Sequence, residues 1–540
     1  MWMLKNANGY TLDGTGRTFD AVVVDEDRIV AVGSGPDLAL QCAGGIDRVL
    51  DVAGATVLPG FVDSHLHVSG VGEQSLQLDV TGVRHRRELL ERIAAYANQL
   101  AKDAWILGGG WNENQWEDKT LPSIEELDAA AGGRPLLLYR ICHHVYLVNT
   151  AAFAAAGLDD HAANPPDGAY GRDAQGRLNG LVYDNASAPI WKAVPKRTYA
   201  DWYKAFRAGM EAALRAGITA VHTDDVRGPQ NFTVMWELYH RLIHEDGVRL
   251  RVHALVDWHY LDECREAMTE LPKPNEWLEL GDAKLFSDGA LGGRTAWLLD
   301  DYADQPGWRG TPMYSREELV ERVRMAHEKG FGAAIHAIGD AGLEATVAAL
   351  EAAPPVAMRD RIIHAEVVNP DLVQRMVQLG DRVVLDIQPR FTVSDFPWII
   401  ERIGAERARL ACAWRTLKEA GLRLAGGSDA PIEPMEPLLG MHAAVVRRQP
   451  YADGPGFGLE QAFTPLEALK LFTHDACFAN GAEHSKGLIA PGYVADFTIV
   501  DRDIADPAQA DDIRDARVLY TIVGGAVAYA ADGSEAEWTA

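Results

Sequence analysis

The sequence predicts an α/β protein built around a closed (β/α)8 TIM-like barrel. Two further parts complete the predicted fold. One is a small composite β-sandwich domain formed from both termini, and the other is an insertion after strand 1. Three observations lead to this prediction. Short apolar strands alternate with amphipathic helices from about residue 200 to 485, both chain ends consist of short alternating strands, and one long stretch after the first barrel strand breaks the rhythm.

Eight apolar segments are candidate barrel strands, and helix signals separate most of them. Ser315 can cap one such helix, Glu318 completes a capping box, and Gly330 supplies the stop. Thr464 opens a later helix in the same way. The predicted strands span residues 61–66, 218–223, 249–256, 282–287, 332–336, 361–364, 383–387 and 424–427.

The domain boundaries follow from the segments that lie outside this alternation. Chain ends of matching character predict one β-domain, and the stretch after the first strand is too long for a βα loop. We expect that insertion to lie over the active-site mouth. The predicted domains are 1–57 plus 486–540 for the β-domain, 58–75 plus 196–485 for the barrel, and 76–195 for the insertion.

Composition excludes several classes of function. With 78 acidic against 51 basic residues, the net charge of −27 repels nucleic acid and anionic membrane surfaces. The longest apolar run, residues 518–531, is too short to span a bilayer, and Gly524 and Gly525 divide it as in a β-hairpin. Five widely spaced cysteines and an N-terminus without a signal-peptide pattern predict a cytoplasmic location. We expect the substrate to be a small molecule, and we leave open whether the protein forms a homodimer.

Two histidines, His65 and His67, end the first predicted strand. Because side chains alternate along a strand, both project to one face while Leu66 faces the other. At the C-terminal end of a barrel strand that face looks into the mouth, where barrel enzymes carry their chemistry. Two neutral imidazoles there suit a divalent metal such as zinc, and two packed, hydrogen-bonded histidines are the alternative.

Other predicted strand ends carry polar side chains that also suit a metal site. His336 and His364 are 28 residues apart, close to one β/α unit, and Asp429 lies two such units further on. Polar, metal-competent residues at five of eight strand ends are not expected of a purely structural core. Besides the two histidines of strand one, these residues are Lys284, His336, His364 and Asp429.

The order HxH, Lys, His, His and Asp resembles the ligand pattern of the metal-dependent amidohydrolase superfamily. The words "GFVDSHLH", "KLFSDGALGGRTAWL", "AIHAIGDA", "RIIHAE", "QPRF" and "GSDAPIEPMEPL" are similar to its YtcJ-like, amidohydrolase-3 branch. The resemblance covers nearly the whole chain. It implies two metal ions, with zinc preferred, other divalent metals as alternatives, and a single-ion site left open. His65, His67 and Asp429 would hold the first ion, and His336 and His364 the second.

The resemblance also implies that carbon dioxide carboxylates Lys284, so that the resulting carbamate bridges both ions. An ammonium about 4 Å from one positive charge is disfavoured by roughly 4 kcal/mol at an effective dielectric constant of 20. A carbamate reverses the sign of the charge and supplies two oxygens. The alternatives for Lys284 are a snorkelling side chain and a structural ion pair with Asp282 or Asp288.

The implied reaction is hydrolysis of a non-peptide, amide-like C–N bond, as in an N-acyl or N-formyl amine, by a metal-bound hydroxide. Zinc lowers the pKa of bound water to about 7, and Asp429 would be the catalytic proton shuttle. A metal-dependent deaminase and an esterase or lactonase are alternatives on the same scaffold. A non-catalytic scaffold protein is the least favoured reading.

Six further residues are candidate substrate contacts. Asp288 and Arg294 belong to a Gly-rich loop, and a structural ion pair is the alternative for Arg294. His144 resembles a histidine that approaches the active site in the family. For the others, packing or local hydrogen bonding is the alternative. The complete set is Asp288, Arg294, His144, His222, Gln388 and Trp111.

Overall fold

The chain divides into two compact units. One comprises Met1–Val71 with Gly209–Ala540, and the other comprises Gly72–Ala208. The computed structural model describes residues 1–42, 44–117, 119–141, 144–165, 168–396, 398–532 and 538–539. No helix in these ranges is long and apolar enough to cross a membrane.

The N-terminal segment contributes short strands before the chain enters the barrel. Its elements are β1 (Trp2–Lys5), β2 (Asn8–Tyr10), β3 (Thr18–Phe19), β4 (Ala21–Asp25), β5 (Arg28–Gly33), α1 (Gly35–Gln41), β6 (Arg48–Asp51), β7 (Thr56–Pro59), β8 (Phe61–Leu66) and α2 (Val68–Ser75).

The segment between the first two barrel strands forms its own sheet and hydrophobic core. Its elements are β9 (Leu78–Asp79), α3 (Arg86–Ala97), β10 (Ile106–Trp111), α4 (Ile124–Ala131), β11 (Leu136–Arg140), β12 (Val145–Val148), α5 (Thr150–Ala155), β13 (Gly168–Arg172), β14 (Leu178–Asp184), α6 (Ala188–Ala193) and α7 (Tyr199–Arg215). The six strands form one mixed sheet in the order β13-β14-β12-β11-β10-β9.

Alternating strands and helices follow. They are β15 (Ile218–Asp224), α8 (Phe232–His240), β16 (Arg251–Asp257), α9 (Leu261–Ala267), β17 (Leu278–Phe286), α10 (Arg316–Glu328), β18 (Ala333–Ala337), α11 (Asp340–Ala352), β19 (Asp360–His364), α12 (Pro370–Leu379), β20 (Val383–Ile387), α13 (Phe391–Asp395), α14 (Ile399–Ala408), α15 (Trp414–Glu419), β21 (Arg423–Gly426), α16 (Pro437–Val446), α17 (Pro465–Leu471) and α18 (His474–Ala479).

The predicted barrel is confirmed. Eight parallel strands pair in the order β8-β15-β16-β17-β18-β19-β20-β21, which is also their order in the chain. The ladder is nearly closed, and Asp429 N donates to His65 O at 2.8 Å between the ends of β21 and β8. The predicted capping box also forms, since Ser315 Oγ accepts from Glu318 N and Ser315 N donates to the Glu318 carboxylate.

Strands from both chain ends form the two sheets of the β-sandwich. The C-terminal strands are β22 (Phe497–Val500), β23 (Val518–Val523), β24 (Ala526–Ala530) and β25 (Trp538–Thr539). The sheets have the orders β25-β6-β1-β4-β5 and β24-β23-β22-β7-β2-β3. Their facing residues, among them Trp2, Val22, Val57 and Phe497, share one hydrophobic core. Strands β23 and β24 form the predicted hairpin at Gly524 and Gly525, both with positive φ.

Candidate metal centre

The C-terminal ends of β8 and β21 bring His65, His67 and Asp429 together. Their metal-ligating atoms all lie within 4.8 Å of one another. Asp429 Oδ1 lies 3.5 Å from His65 Nε2 and 3.3 Å from His67 Nε2. The strand ends are linked through the backbone, because His67 N donates to Ala430 O at 2.8 Å. Two imidazoles and one carboxylate in this arrangement could hold one divalent ion.

His336 and His364 lie beside this group. Their ring centroids are 4.6 Å apart, and the His364 ring lies 6.1 Å from that of His65. His364 Nδ1 donates to Gln388 Oε1 at 2.7 Å, which leaves the Nε2 lone pair of His364 free for a metal. The structure therefore brings these residues to one place, and their role as ligands of a second ion stays a prediction.

Lys284 occupies the centre of the cluster. It lies near the end of β17, is 1% exposed, and its Nζ is 3.1 Å from His65 Nε2. Burial lowers the pKa of Lys284 to about 8. Within the described residues, Lys284 forms no ion pair with Asp282 or Asp288, which were the structural alternatives.

Three of the four histidines are held in the neutral form that binds metals. Burial is the main cause that keeps the pKa of His65 and His336 well below 6.5 and lowers the pKa of His364 to about 4. For His67, burial acts in the same direction, but the hydrogen bond and charge of Asp429 raise the pKa to about 9. A metal ion binding here must displace the His67 proton.

Two of the predicted ligands adopt a strained backbone. His364 has φ 79° and Asp429 has φ 59°, in the left-handed region that residues other than glycine rarely adopt. Such conformations persist where the surrounding structure holds them, and they are concentrated at functional sites.

Sequence reasoning missed Asp224, the last residue of β15. Its carboxylate is buried, and neither oxygen has a hydrogen-bond partner among the described residues. Its carbonyl accepts from His67 Nδ1 at 2.7 Å, so His67 Nε2 faces Asp429. A buried carboxylate without a partner is unfavourable, and nearby cations would compensate it. This donor set therefore fits a metal centre. The sequence feature that could have revealed Asp224 is the alternation of side chains through "AVHTDD", which places Asp224 on the same side of the strand as His222.

Two predicted substrate contacts form local structural interactions, and their contact with substrate stays a prediction. Asp288 accepts backbone N–H groups from Trp297 and from residues 338 and 339 at 2.8–3.1 Å, and thereby anchors the loop after β17. Arg294 forms an ion pair with Asp304 at 2.8 Å, which is the alternative that the sequence left open.

Of the remaining candidates, Gln388 contacts the predicted ligand His364 at 2.7 Å, and the other three contact residues outside the predicted ligand set. His222 Nδ1 accepts from Arg361 at 3.2 Å inside the barrel. In the unit Gly72–Ala208, His144 Nδ1 lies 2.9 Å from the Asp184 carboxylate, and Trp111 packs in the hydrophobic core. Contact of these residues with substrate stays a prediction.

Comparison with known proteins agrees with this geometry. The model of the amidohydrolase family matches residues 48–529. The YtcJ protein of Bacillus subtilis (strain 168) is 38% identical over 526 residues, which cover 96% of this chain and 98% of that protein. N-substituted formamide deformylase of Arthrobacter pascens is 27% identical, over 98% and 99% of the two chains. The solved structure of an uncharacterized metal-dependent hydrolase from Pyrococcus furiosus is 29% identical, with a TM-score of 0.76 over 93% of this chain and 99% of that chain.

Fold and site together define the class, a hydrolase barrel of the metal-dependent kind. The chain belongs to the amidohydrolase family, as its sequence motifs predicted.

Proposed function

We propose that this protein hydrolyses a non-peptide C–N bond of a small amide-like substrate, such as an N-acyl or N-formyl amine. The observation that carries the proposal is the contact of one carboxylate, Asp429, with both His65 and His67 at the C-terminal ends of the first and last barrel strands. The likeness to a formamide deformylase over nearly the whole chain supports an amide substrate.

His65, His67 and Asp429 would hold one divalent ion, and His336 and His364 a second, with zinc preferred. When bound, such ions polarise a substrate carbonyl and make water more acidic. Imidazole and carboxylate ligands, with histidines that burial keeps neutral, are the donors that zinc prefers.

Lys284 would be carboxylated. The ammonium first loses one proton. The neutral amine then attacks the carbon of carbon dioxide, so that an N–C bond forms while one C–O π bond opens to give the carboxylate, and a second proton leaves the nitrogen for solvent. The lowered pKa of the buried amine favours this reaction, because only the neutral form is nucleophilic. Reconstitution in ¹³C-bicarbonate should give a carbamate NMR signal that Lys284→Met lacks.

Asp429 would transfer the proton. Its Oδ1 faces the two imidazoles, and as a carboxylate it has a second oxygen that can accept a proton from water and deliver it to the departing nitrogen. Asp429 is thus a candidate for both general base and general acid.

The test is a screen of metal-reconstituted protein against N-acyl amines, formamides, cyclic ureas and simple esters. We expect release of an amine and a carboxylate, and a loss of about 10²–10⁴-fold in kcat for Asp429→Asn. Circular dichroism should show the variant folded. Undiminished hydrolysis by Asp429→Asn would contradict the role of Asp429, and ammonia release from cyclic amidines alone would indicate a deaminase.

A further inference from the structure

Arg227, three residues after the end of β15, presents a guanidinium edge that no other described residue binds. Its Nε donates to Asp257 Oδ2 at 2.6 Å, and its guanidinium carbon lies 4.0 Å above the Phe286 ring. Its side chain is 48% exposed, and its two terminal nitrogens have no hydrogen-bond partner among the described residues. Half of this planar fork is therefore available to a ligand.

This edge lies at the rim of the candidate metal centre. The Phe286 ring that Arg227 covers also faces Lys284 Nζ at 4.8 Å, and it packs against the His336 ring at 5.3 Å. In the barrel ladder, Asp257 is the neighbour of Lys284. A ligand bound to Arg227 would therefore be next to the residues proposed to carry the chemistry.

The guanidinium is held in place before any ligand arrives. Asp257 is buried, and its Oδ1 accepts from His259 N at 3.0 Å while Oδ2 accepts from Arg227. The guanidinium also stacks on the Phe286 ring at 4.0 Å. A fixed planar fork loses little entropy when it binds a planar anion such as a carboxylate.

Some other arginines engage their carboxylate partner through two nitrogens, whereas Arg197 and Arg390, like Arg227, use Nε alone. Arg294 donates to Asp304 through both Nε and Nη2, and Arg423 donates to Asp381 in the same way. Arg227 donates to its carboxylate through Nε alone.

We propose that Arg227 is a specificity-determining residue that binds a carboxylate of the substrate. This inference rests on the proposed function and narrows its substrate class to amides that carry one negative charge beside the scissile bond. Asp257 and the nearby Asp224 already supply negative charge, so a single carboxylate fits better than a phosphate dianion.

The experiment compares N-formyl amino acids of increasing chain length with their neutral primary amides. Wild-type protein should favour the acid of the best length, and Arg227→Gln should lower the acid-to-amide ratio of kcat/KM about tenfold or more. Arg227→Lys, which keeps the charge without the fork, should give an intermediate ratio. A ratio at or below one in wild type, or a ratio that Arg227→Gln leaves unchanged, would overturn the proposal.

The matched control is Arg423→Gln. Arg423 also pairs with an aspartate and lies over an aromatic ring, that of Phe478 at 4.9 Å, but it belongs to the opposite end of the barrel. It should leave the acid-to-amide ratio at the wild-type value. An equal fall in both variants would show a general effect of lost positive charge and would overturn the specific role of Arg227.

A binding measurement separates this inference from the proposed function. Calorimetry on metal-loaded Asp429→Asn should show about tenfold tighter binding of the acid than of the amide, and loss of this preference when Arg227→Gln is added. If wild-type protein hydrolyses no amide-like compound of the screen, the proposed function fails, while the binding preference still tests Arg227. Equal affinities for acid and amide would overturn the inference even if hydrolysis occurs.

Discussion

Two layers of the barrel interior are both buried and polar, yet they differ in how their charges are paired. The mouth cluster consists of His65, His67, Asp224, Lys284, His336, His364 and Asp429. The floor network consists of His222, His253, Glu279, Asp282, Arg361, Asp386 and Lys486. On two strands the two layers are only two residues apart, namely His222 and Asp224 on β15 and Asp282 and Lys284 on β17.

In the floor network, each formal charge meets an opposite one. Arg361 Nε donates to Asp386 at 2.7 Å and its Nη1 to Asp282 at 3.4 Å, and Lys486 Nζ donates to Glu279 at 2.7 Å. Such pairing satisfies buried charges inside the protein, which is typical of a structural network.

In the mouth cluster, the pairing is incomplete. Lys284 Nζ faces a histidine nitrogen rather than a carboxylate, and both oxygens of Asp224 are without a hydrogen-bond partner among the described residues. The difference teaches that burial of polar side chains does not by itself distinguish a functional site. A buried ionisable side chain without a partner of opposite charge does, because it is costly unless something binds there.

Breaking the floor network should have the largest effect on stability. Arg361→Met leaves Asp282 and Asp386 buried without their cation, and we expect a loss of about 3–5 kcal/mol in the free energy of unfolding, measured by urea denaturation. Arg423→Met, which breaks an exposed ion pair, should cost roughly 0–1 kcal/mol. Equal stabilities of the two variants would refute the structural role of the floor.

Asp224→Asn, in the mouth cluster, should not lower the free energy of unfolding as Arg361→Met does. Because Asp224 has no partner in the metal-free protein, its neutralisation should keep or raise metal-free stability. Metal affinity, measured by chelator competition, should fall about 10–100-fold.

The neighbouring Asp225 is the matched control for this prediction. It is equally buried, but it accepts from Ser69 N at 2.8 Å and from the Thr223 and Tyr239 hydroxyls. Asp225→Asn should lower stability and leave metal affinity nearly unchanged. If Asp224→Asn behaves like Asp225→Asn, the contrast between partnered and unpartnered carboxylates is not the right criterion.

The smallest effect is a pH dependence of the floor network. Burial alone would raise the pKa of Glu279, but His253 and Lys486 outweigh it and lower the pKa to about 2. A carboxylate with a depressed pKa stabilises the folded state above its unfolded value of about 4.5, and this contribution is lost as the pH falls towards 2. Glu279→Gln should therefore cost roughly 2 kcal/mol at neutral pH. The difference from wild type in urea unfolding should narrow below pH 4.5, and a constant difference down to pH 3 would contradict this assignment.

The candidate site could be predicted only in part. His65, His336 and His364 were found because strand alternation and the length of a β/α unit are visible in the chain. Asp224 was missed because the predicted second strand ended at residue 223, one residue too early. Arg227 was missed because its position depends on Asp257 and on the aromatic ring at the end of β17, neither of which its own loop reveals.

The sequence by itself determined the barrel, the sandwich hairpin and the helix caps, since these depend on the periodicity of apolar residues and on contacts within one turn or strand. It also determined most of the strand ends that carry ligand-type side chains, Asp224 at the end of β15 being the exception. Only the tertiary structure decided which of those side chains have an ion-pair or hydrogen-bond partner and which do not. The physical reason is that the partner of a buried charge comes from another strand, as with Arg361 and Asp386, so pairing is a property of the assembled barrel and not of any one segment.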